Sequence, residues 1–270
     1  MIPNILSIAG SDPSGGAGIQ ADIKAISANG GYAMAAITAL TAQNTRGVSA
    51  VELVAPAMVA AQIADIRADI RVDAVKIGML GSAAIIHAVS LALQGLEVPV
   101  VLDPVMVAKS GDRLLAAEAV AALCTSLLPL ASVITPNLPE AADLLNQPPA
   151  TDLPGMERQA RALLALGPGA VLLKGGHLVG GSSPDLLLDG SGTHNFDGPR
   201  HTTRNTHGTG CTLSAALATQ LGLGRALPEA VARAKAYTAA AIAAADRLSV
   251  GTGHGPTHHF HAVNTWDRPA

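Results

Sequence analysis

The stretch NTHGTGCTL (205–213) places a thiol, Cys211, directly after a glycine-rich turn and before a long alanine-rich apolar run. A helix that begins there leaves its first amide N–H groups without partners inside the helix. Gly208 and Gly210 expose bare backbone, so an oxyanion can approach those amides closely. Cys211 falls in the first turn, where the helix dipole is expected to lower the thiol pKa and bring thiolate within reach near neutral pH. Such a thiolate has two uses. It can attack a carbonyl, with the amides as oxyanion hole. Or it can accept a proton from a substrate hydroxyl while the amides hold a phosphoryl group in transfer. The nucleophile reading wants a histidine base, and His207 is close in sequence, but no elbow motif or third orienting group accompanies it. Packing of Cys211 under the turn is a third reading. Cys124, inside AVAALCTSLL, reads as core.

Other polar residues recur where apolar runs end. TALTAQN carries Gln43, KIGML carries Gly78 and Met79, LDPVMVAKSG carries Asp103, TPNLPE carries Asn137 and Glu140, and LLKGGH carries Lys174. Each alone has a structural explanation. Together they bring carboxylates, amides and a lysine to one place, a set suited to a Mg²⁺-bound polyphosphate. Asn137 with an acid three residues on also approximates a capping box, a role that competes with metal binding.

The elements that must position these residues follow from the pattern. Strands are expected at 5–9, 32–40, 48–54, 74–78, 98–104, 132–135 and 170–176, with a hairpin over 184–200 turning at Asp189-Gly190 and Asp197-Gly198. Helices are expected from the first glycine loop to Gly30, from Pro56 to Arg71, Ser82 to Gln94, Leu114 to Leu128, Glu140 to Leu145, Met156 to Leu166, Gly210 to Leu221 and Pro228 to Arg247. This alternation predicts a mostly parallel sheet with helices on both faces, in a single domain spanning 1–270. In such sheets the site lies beyond the carboxyl ends of the strands.

Residues 16–21, GAGIQA, match a dinucleotide-binding glycine pattern, but no acid stands about twenty residues on to hold a ribose. With Ser11, Asp12, Ser14, Gln20 and Asp22 crowded nearby, these glycines are read instead as bare backbone for a substrate to lie against. No phosphate-loop lysine motif occurs. The net charge of −3 and the lack of a basic block argue against nucleic-acid binding. Two cysteines are too few for a disulfide framework, and a reducing cytoplasm is the expected home. The N-terminus reads as strand and turn rather than a secretory signal.

The motifs GSDPSGGAGIQADIK (10–24), TALTAQNT (38–45), VKIGML (75–80), VVLDPVMVAKSGDRLL (100–115), VITPNLPEA (133–141), LLKGGH (172–177), NTHGTGCTLSAA (205–216) and GHGPTHHF (253–260) occur in that order. The chain closely resembles the bacterial hydroxymethylpyrimidine/phosphomethylpyrimidine kinases of thiamine biosynthesis. The resemblance implies a ribokinase-like three-layer α/β/α sandwich, a homodimer, and two ATP-dependent phosphorylations. The substrates would be 4-amino-5-hydroxymethyl-2-methylpyrimidine and then its monophosphate. It further implies that Cys211 is the base beside Gly208 and Gly210. Gln43 and Asp22 would contact the pyrimidine, with Ala17, Met79 and Val105 around the ring. Asp103, Asn137 and Glu140 would form the Mg²⁺ region, and Lys174, Thr206 and Thr209 would serve the nucleotide. Some relatives with the same thiol accept pyridoxal, so a pyridoxal kinase stands as the alternative, and a thiol-dependent hydrolase or acyltransferase as the alternative from another class.

Overall fold

A computed structural model describes residues 1–106 and 116–263. Strand β1 (Asn4–Ser11) passes through the glycine loop into α1 (Gly18–Ala28). Strands β2 (Tyr32–Asn44) and β3 (Gly47–Leu53) form a hairpin, followed by α2 (Pro56–Asp69), β4 (Ala74–Ile77), α3 (Ala83–Leu93) and β5 (Val100–Leu102). The second half runs α4 (Ala117–Ala122), β6 (Val133–Ile134), α5 (Leu138–Leu145), α6 (Leu153–Leu164), β7 (Val171–Lys174), β8 (Asp185–Asp189), β9 (Gly192–Phe196), α7 (Thr209–Gly222) and α8 (Leu227–Ala243). All nine strands join one sheet in the order β3-β2-β1-β4-β5-β6-β7-β8-β9. The six from β2 to β7 in that order pair in parallel, and antiparallel hairpins close both edges.

Alternation along each strand divides the interior in two. Leu6, Ile8, Val75, Ile77 and Leu102 face one core, covered by α2 to α6. Ile5, Ala74, Val101, Val133 and Leu172 face the other, covered by α1, α7 and α8. The same period assigns Ser7, Lys76 and Asp103 to the second face. Ser7 and Lys76 are register partners on β1 and β4, so polar groups accumulate where α7 begins.

Several boundaries differ from the sequence expectation, each for a local reason. The helix expected through Leu128 stops as α-helix at Ala122, then continues as a π turn (Leu123–Leu127) and a 3-10 turn (Leu128–Leu130). Pro129 lacks an amide hydrogen, and the Thr125 hydroxyl donates back to the Ala121 carbonyl. The expected start of that helix at Leu114, and residues 107–115 of the LDPVMVAKSG motif, lie outside the described residues. Helix α5 begins at Leu138, two residues early, because Asn137 caps it. Helix α6 begins at Leu153, where the Asp152 side chain accepts from the Gly155 amide. Strand β2 extends to Asn44 beyond a register shift at Ala42/Gln43, which carries Gln43 past the body of the sheet.

Candidate active site

Beyond the carboxyl ends of the parallel strands lies a cavity of about 920 Å³. It is built where two glycine loops press together. Gly208 precedes α7 with φ 75°, and a Cβ there would fall 1.8 Å from the Gly16 carbonyl oxygen. Only glycine fits such a contact at positive φ. In the first loop, His207 occupies the space a side chain would take at Gly16, and the Gly10 carbonyl that at Gly18. The bare backbone expected to face a substrate is thus partly taken up by packing. Gly16 and Gly18 serve chain-to-chain packing, although Ala17 and Gly18 also line the cavity.

Cys211 lines the cavity in the first turn of α7, flanked by Gly208, Thr209 and Gly210. Its thiol corrects an expectation. Burial pushes the pKa up to about 11, and Lys76, whose positive charge pulls it down, only partly compensates. Near neutral pH the thiol of the free protein is protonated. Burial here outweighs the lowering expected from a helix N-terminus. Cys124 packs against the first core, and burial raises its thiol too.

Asp103 stands at the tip of β5. Its Oδ1 accepts from Lys174 Nζ at 2.9 Å and from the Thr135 hydroxyl at 3.0 Å. Burial works against its charge, but Lys174 and Lys76 outweigh it and hold the carboxyl below the usual range. Lys174 also lies 3.9 Å from Glu140 Oε2. Burial pushes Glu140 up to about 7, with Lys174 opposing. Gly210 approaches this group without a side chain. A Cβ there would be 3.2 Å from Asp103 Oδ2 and 3.4 Å from Lys174 Nζ. Asn137 and Glu140 complete a reciprocal capping box. The Glu140 amide donates to Asn137 Oδ1 at 2.8 Å, and the Asn137 amide to Glu140 Oε2 at 2.7 Å. The Asn137 oxygen is thus engaged in capping, while one oxygen each of Asp103 and Glu140 remains for a cation. Among the described residues no group of three His, Cys, Asp or Glu side chains forms a metal cluster.

Gln43, Met79, Val105, Thr206 and Thr209 line the same cavity. Asp22 does not. It is 0 % exposed, its Oδ2 accepting from Lys76 Nζ at 2.8 Å and from the Ser7 hydroxyl at 2.6 Å. The implied contact of Asp22 with the ring is replaced by contact with Lys76, which does line the cavity. Burial opposes the Lys76 charge, but Asp22 outweighs it and the ammonium stays protonated. A sequence signal for this pair existed. Asp22 falls on the buried stripe of α1 with Ile19 and Ile26, and Lys76 interrupts the all-buried strand β4. Two charges set into apolar patterns require each other.

Further pairings emerge only in three dimensions. His207 Nε2 lies 2.8 Å from Asp12 Oδ2 and 3.3 Å from Gln43 Nε2. Lys235 donates to Asp185 Oδ2 at 2.6 Å, and the other Asp185 oxygen accepts from the Gly175 amide. The C-terminal GHGPTHHF segment ties the walls together. The His254 amide donates to the Thr45 carbonyl, the His207 amide to the Gly255 carbonyl, and the Gly255 amide to Asn205 Oδ1. His259 Nε2 is 3.0 Å from the hydroxyl of Thr212, the residue after Cys211.

The arrangement matches known proteins closely. The family described as phosphomethylpyrimidine kinase matches residues 12–258. The hydroxymethylpyrimidine/phosphomethylpyrimidine kinase of Escherichia coli (strain K12) is 55% identical over 260 residues, covering 96% of this chain and 98% of that protein. Bacillus subtilis pyridoxal kinase, solved as an ADP complex, aligns with a TM-score of 0.88 at 35% identity, covering 97% of this chain and 99% of that one. Phosphomethylpyrimidine kinase from Clostridium difficile 630 aligns with a TM-score of 0.78 at 43% identity, covering 87% of this chain and 97% of that one. With its ribokinase-like α/β architecture and a match over nearly its whole length, the chain belongs to the phosphomethylpyrimidine kinase family.

Proposed function

We infer that this protein is an ATP-dependent kinase of thiamine biosynthesis. It phosphorylates 4-amino-5-hydroxymethyl-2-methylpyrimidine and then the monophosphate. The observation that carries the reading is one cavity lined both by apolar Met79 and Val105 and by a glycine-flanked helix start bearing Cys211. A nearly uncharged ring needs shape and a few hydrogen bonds, and Gln43 supplies an amide for them. The first-turn amides of α7, with Gly208 and Gly210, hold the phosphoryl group in transfer. Lys174, Thr206 and Thr209 orient the nucleotide phosphates beside them. Cys211 accepts the hydroxyl proton through the ionised fraction of its thiol, and positioning supplies most of the acceleration.

Magnesium fits the donor set. Asp103 and Glu140 offer hard oxygens at the cavity wall where Gly210 leaves room, and Mg²⁺ commonly takes one or two carboxylates with phosphate and water completing its shell. When bound, it would neutralise charge on the phosphates. The likeness to pyridoxal kinases favours pyridoxal as the second reading. We also propose that the enzyme is a cytoplasmic homodimer. No helix among the described residues is long and apolar enough to cross a membrane, and the exposed apolar residues Leu40, Val51 and Leu53 of the β2–β3 hairpin suit a second copy.

The test is mass spectrometry of products from each ring with MgATP. The pyrimidine is expected to gain one and then two phosphates. A hundredfold preference for pyridoxal in kcat/KM would overturn the assignment, as would the absence of ADP above background.

A further inference from the structure

We propose that His207, held by Asp12, is a positioning residue that fixes which end of the Gln43 amide faces which way. It thereby makes the site read the donor–acceptor order of the ring. The inference rests on the ring-kinase reading above.

His207 is held at its ring and its backbone. Its ring fills the space over Gly16, where a Cβ would lie 2.3 Å from Cδ2, and its amide donates to the Gly255 carbonyl. Asp12 and His207 are 3 % and 8 % exposed. Asp12 Oδ1 accepts from the Ser14 amide and Oδ2 from the Ala17 amide, so the carboxylate itself is locked. A carboxylate only accepts, so the imidazole nitrogen 2.8 Å from it carries the hydrogen. Gln43 Nε2, another donor, sits 3.3 Å from that same nitrogen, which has no lone pair left to accept from it. Two donors face each other.

Exchanging the oxygen and nitrogen of the Gln43 amide, which have the same shape, removes the conflict. The opposite end of the amide makes the same demand. Thr41 Oγ1 lies 3.2 Å from Gln43 Oε1 but only 2.9 Å from the Ser11 carbonyl. Its single hydrogen serves Ser11, leaving lone pairs that want a donor from Gln43. Both neighbours therefore place the Gln43 oxygen toward His207 and its NH₂ toward Thr41. An amide has two hydrogens and two lone pairs, so one of each stays available in a fixed order. A ring carrying an exocyclic amine beside an unprotonated ring nitrogen offers the matching donor and acceptor. Its 4-oxo counterpart, with a carbonyl beside a ring N–H, offers the reverse and would leave both groups mispaired.

The test compares kcat/KM for the 4-amino ring and its 4-oxo counterpart in wild type, His207→Phe and His207→Gln. Wild type is expected to prefer the amino ring by at least about a hundredfold. His207→Phe fills the space without a donor, frees the amide to turn over, and is expected to cut the preference below about tenfold. His207→Gln restores a donor and is expected to keep most of it, which also decides the matter if the Phe variant fails to fold. An unchanged preference in His207→Phe, an equal loss in both variants, or no preference in wild type overturns the inference while leaving the kinase assignment intact. A wild-type protein that phosphorylates neither ring overturns both.

Discussion

The Lys76–Asp22 pair allows a quantitative test. Both side chains are fully buried, the ammonium is 2.8 Å from Asp22 Oδ2, and Asp22 Oδ1 has no partner. Among the described residues, Lys76→Met removes the only cation bonded to that carboxylate and leaves it the Ser7 hydroxyl. Breaking one side of a buried pair costs about 3–5 kcal/mol, because the Asp22 carboxyl, which burial already pushes up, must be stranded as a charge or take up a proton. At about 2–4 °C per kcal/mol for a domain of this size, the melting temperature should fall by roughly 6–20 °C. Adding Asp22→Asn removes the stranded charge and keeps an acceptor for Ser7. The double variant should therefore recover about 2 kcal/mol or more relative to Lys76→Met alone. Thermal and urea unfolding followed by circular dichroism measure both. The same lysine is the nearby charge that pulls the Cys211 thiol down, so iodoacetamide should modify Cys211 of the folded single variant more slowly than in wild type. A cost below about 1 kcal/mol for Lys76→Met, or a double variant less stable than the single, would refute the reasoning.

Other outcomes follow from the same geometry. With the Cys211 thiol at about 11, kcat/KM for the unphosphorylated ring should rise close to tenfold per pH unit between pH 7 and 9; a flat profile would remove Cys211 as base. Gly208→Ala places a Cβ against the Gly16 carbonyl at φ 75°, and should lower kcat by about a hundredfold or more while most helical signal remains. Glu140→Gln can still accept from the Asn137 amide, so stability near pH 5 should stay within about 1 kcal/mol of wild type. Because the folded Glu140 pKa is raised to about 7, its contribution is present below the ordinary carboxylate pKa and is lost as pH rises through neutrality. The stability of wild type relative to the Gln variant should therefore decline from pH 5 to 8, and a constant difference would contradict the assignment.

Much of this site was legible because strand ends and helix starts announce themselves. Gln43, Met79, Asp103, Lys174 and Cys211 each follow an apolar run or open one, and parallel pairing brings such ends to one edge. What stayed hidden depended on pairs. Asp22 sits in a glycine-rich polar segment that suggests a cavity wall, yet helical period turns it inward onto Lys76. His207 was weighed as a base for the neighbouring thiol, whereas its partner is Asp12, 195 residues away. The thiol pKa was misjudged because the dipole argument is local and burial is not. Short elements were the least legible: Pro129 and Thr125, four residues before it, split a helix that apolar spacing alone would continue.

The segment His254–His259 follows both glycine loops in the sequence, yet it holds the chain beside Thr45, His207 and Thr212. A nascent chain on the ribosome therefore has both glycine loops long before it has the strap that docks them. Substrate or nucleotide can stabilise only what it binds, so neither is available to assist the unfinished protein. A chain altered at His254–His259 would keep every cavity-lining residue yet lose the bonds that hold Thr45 and His207 to one frame.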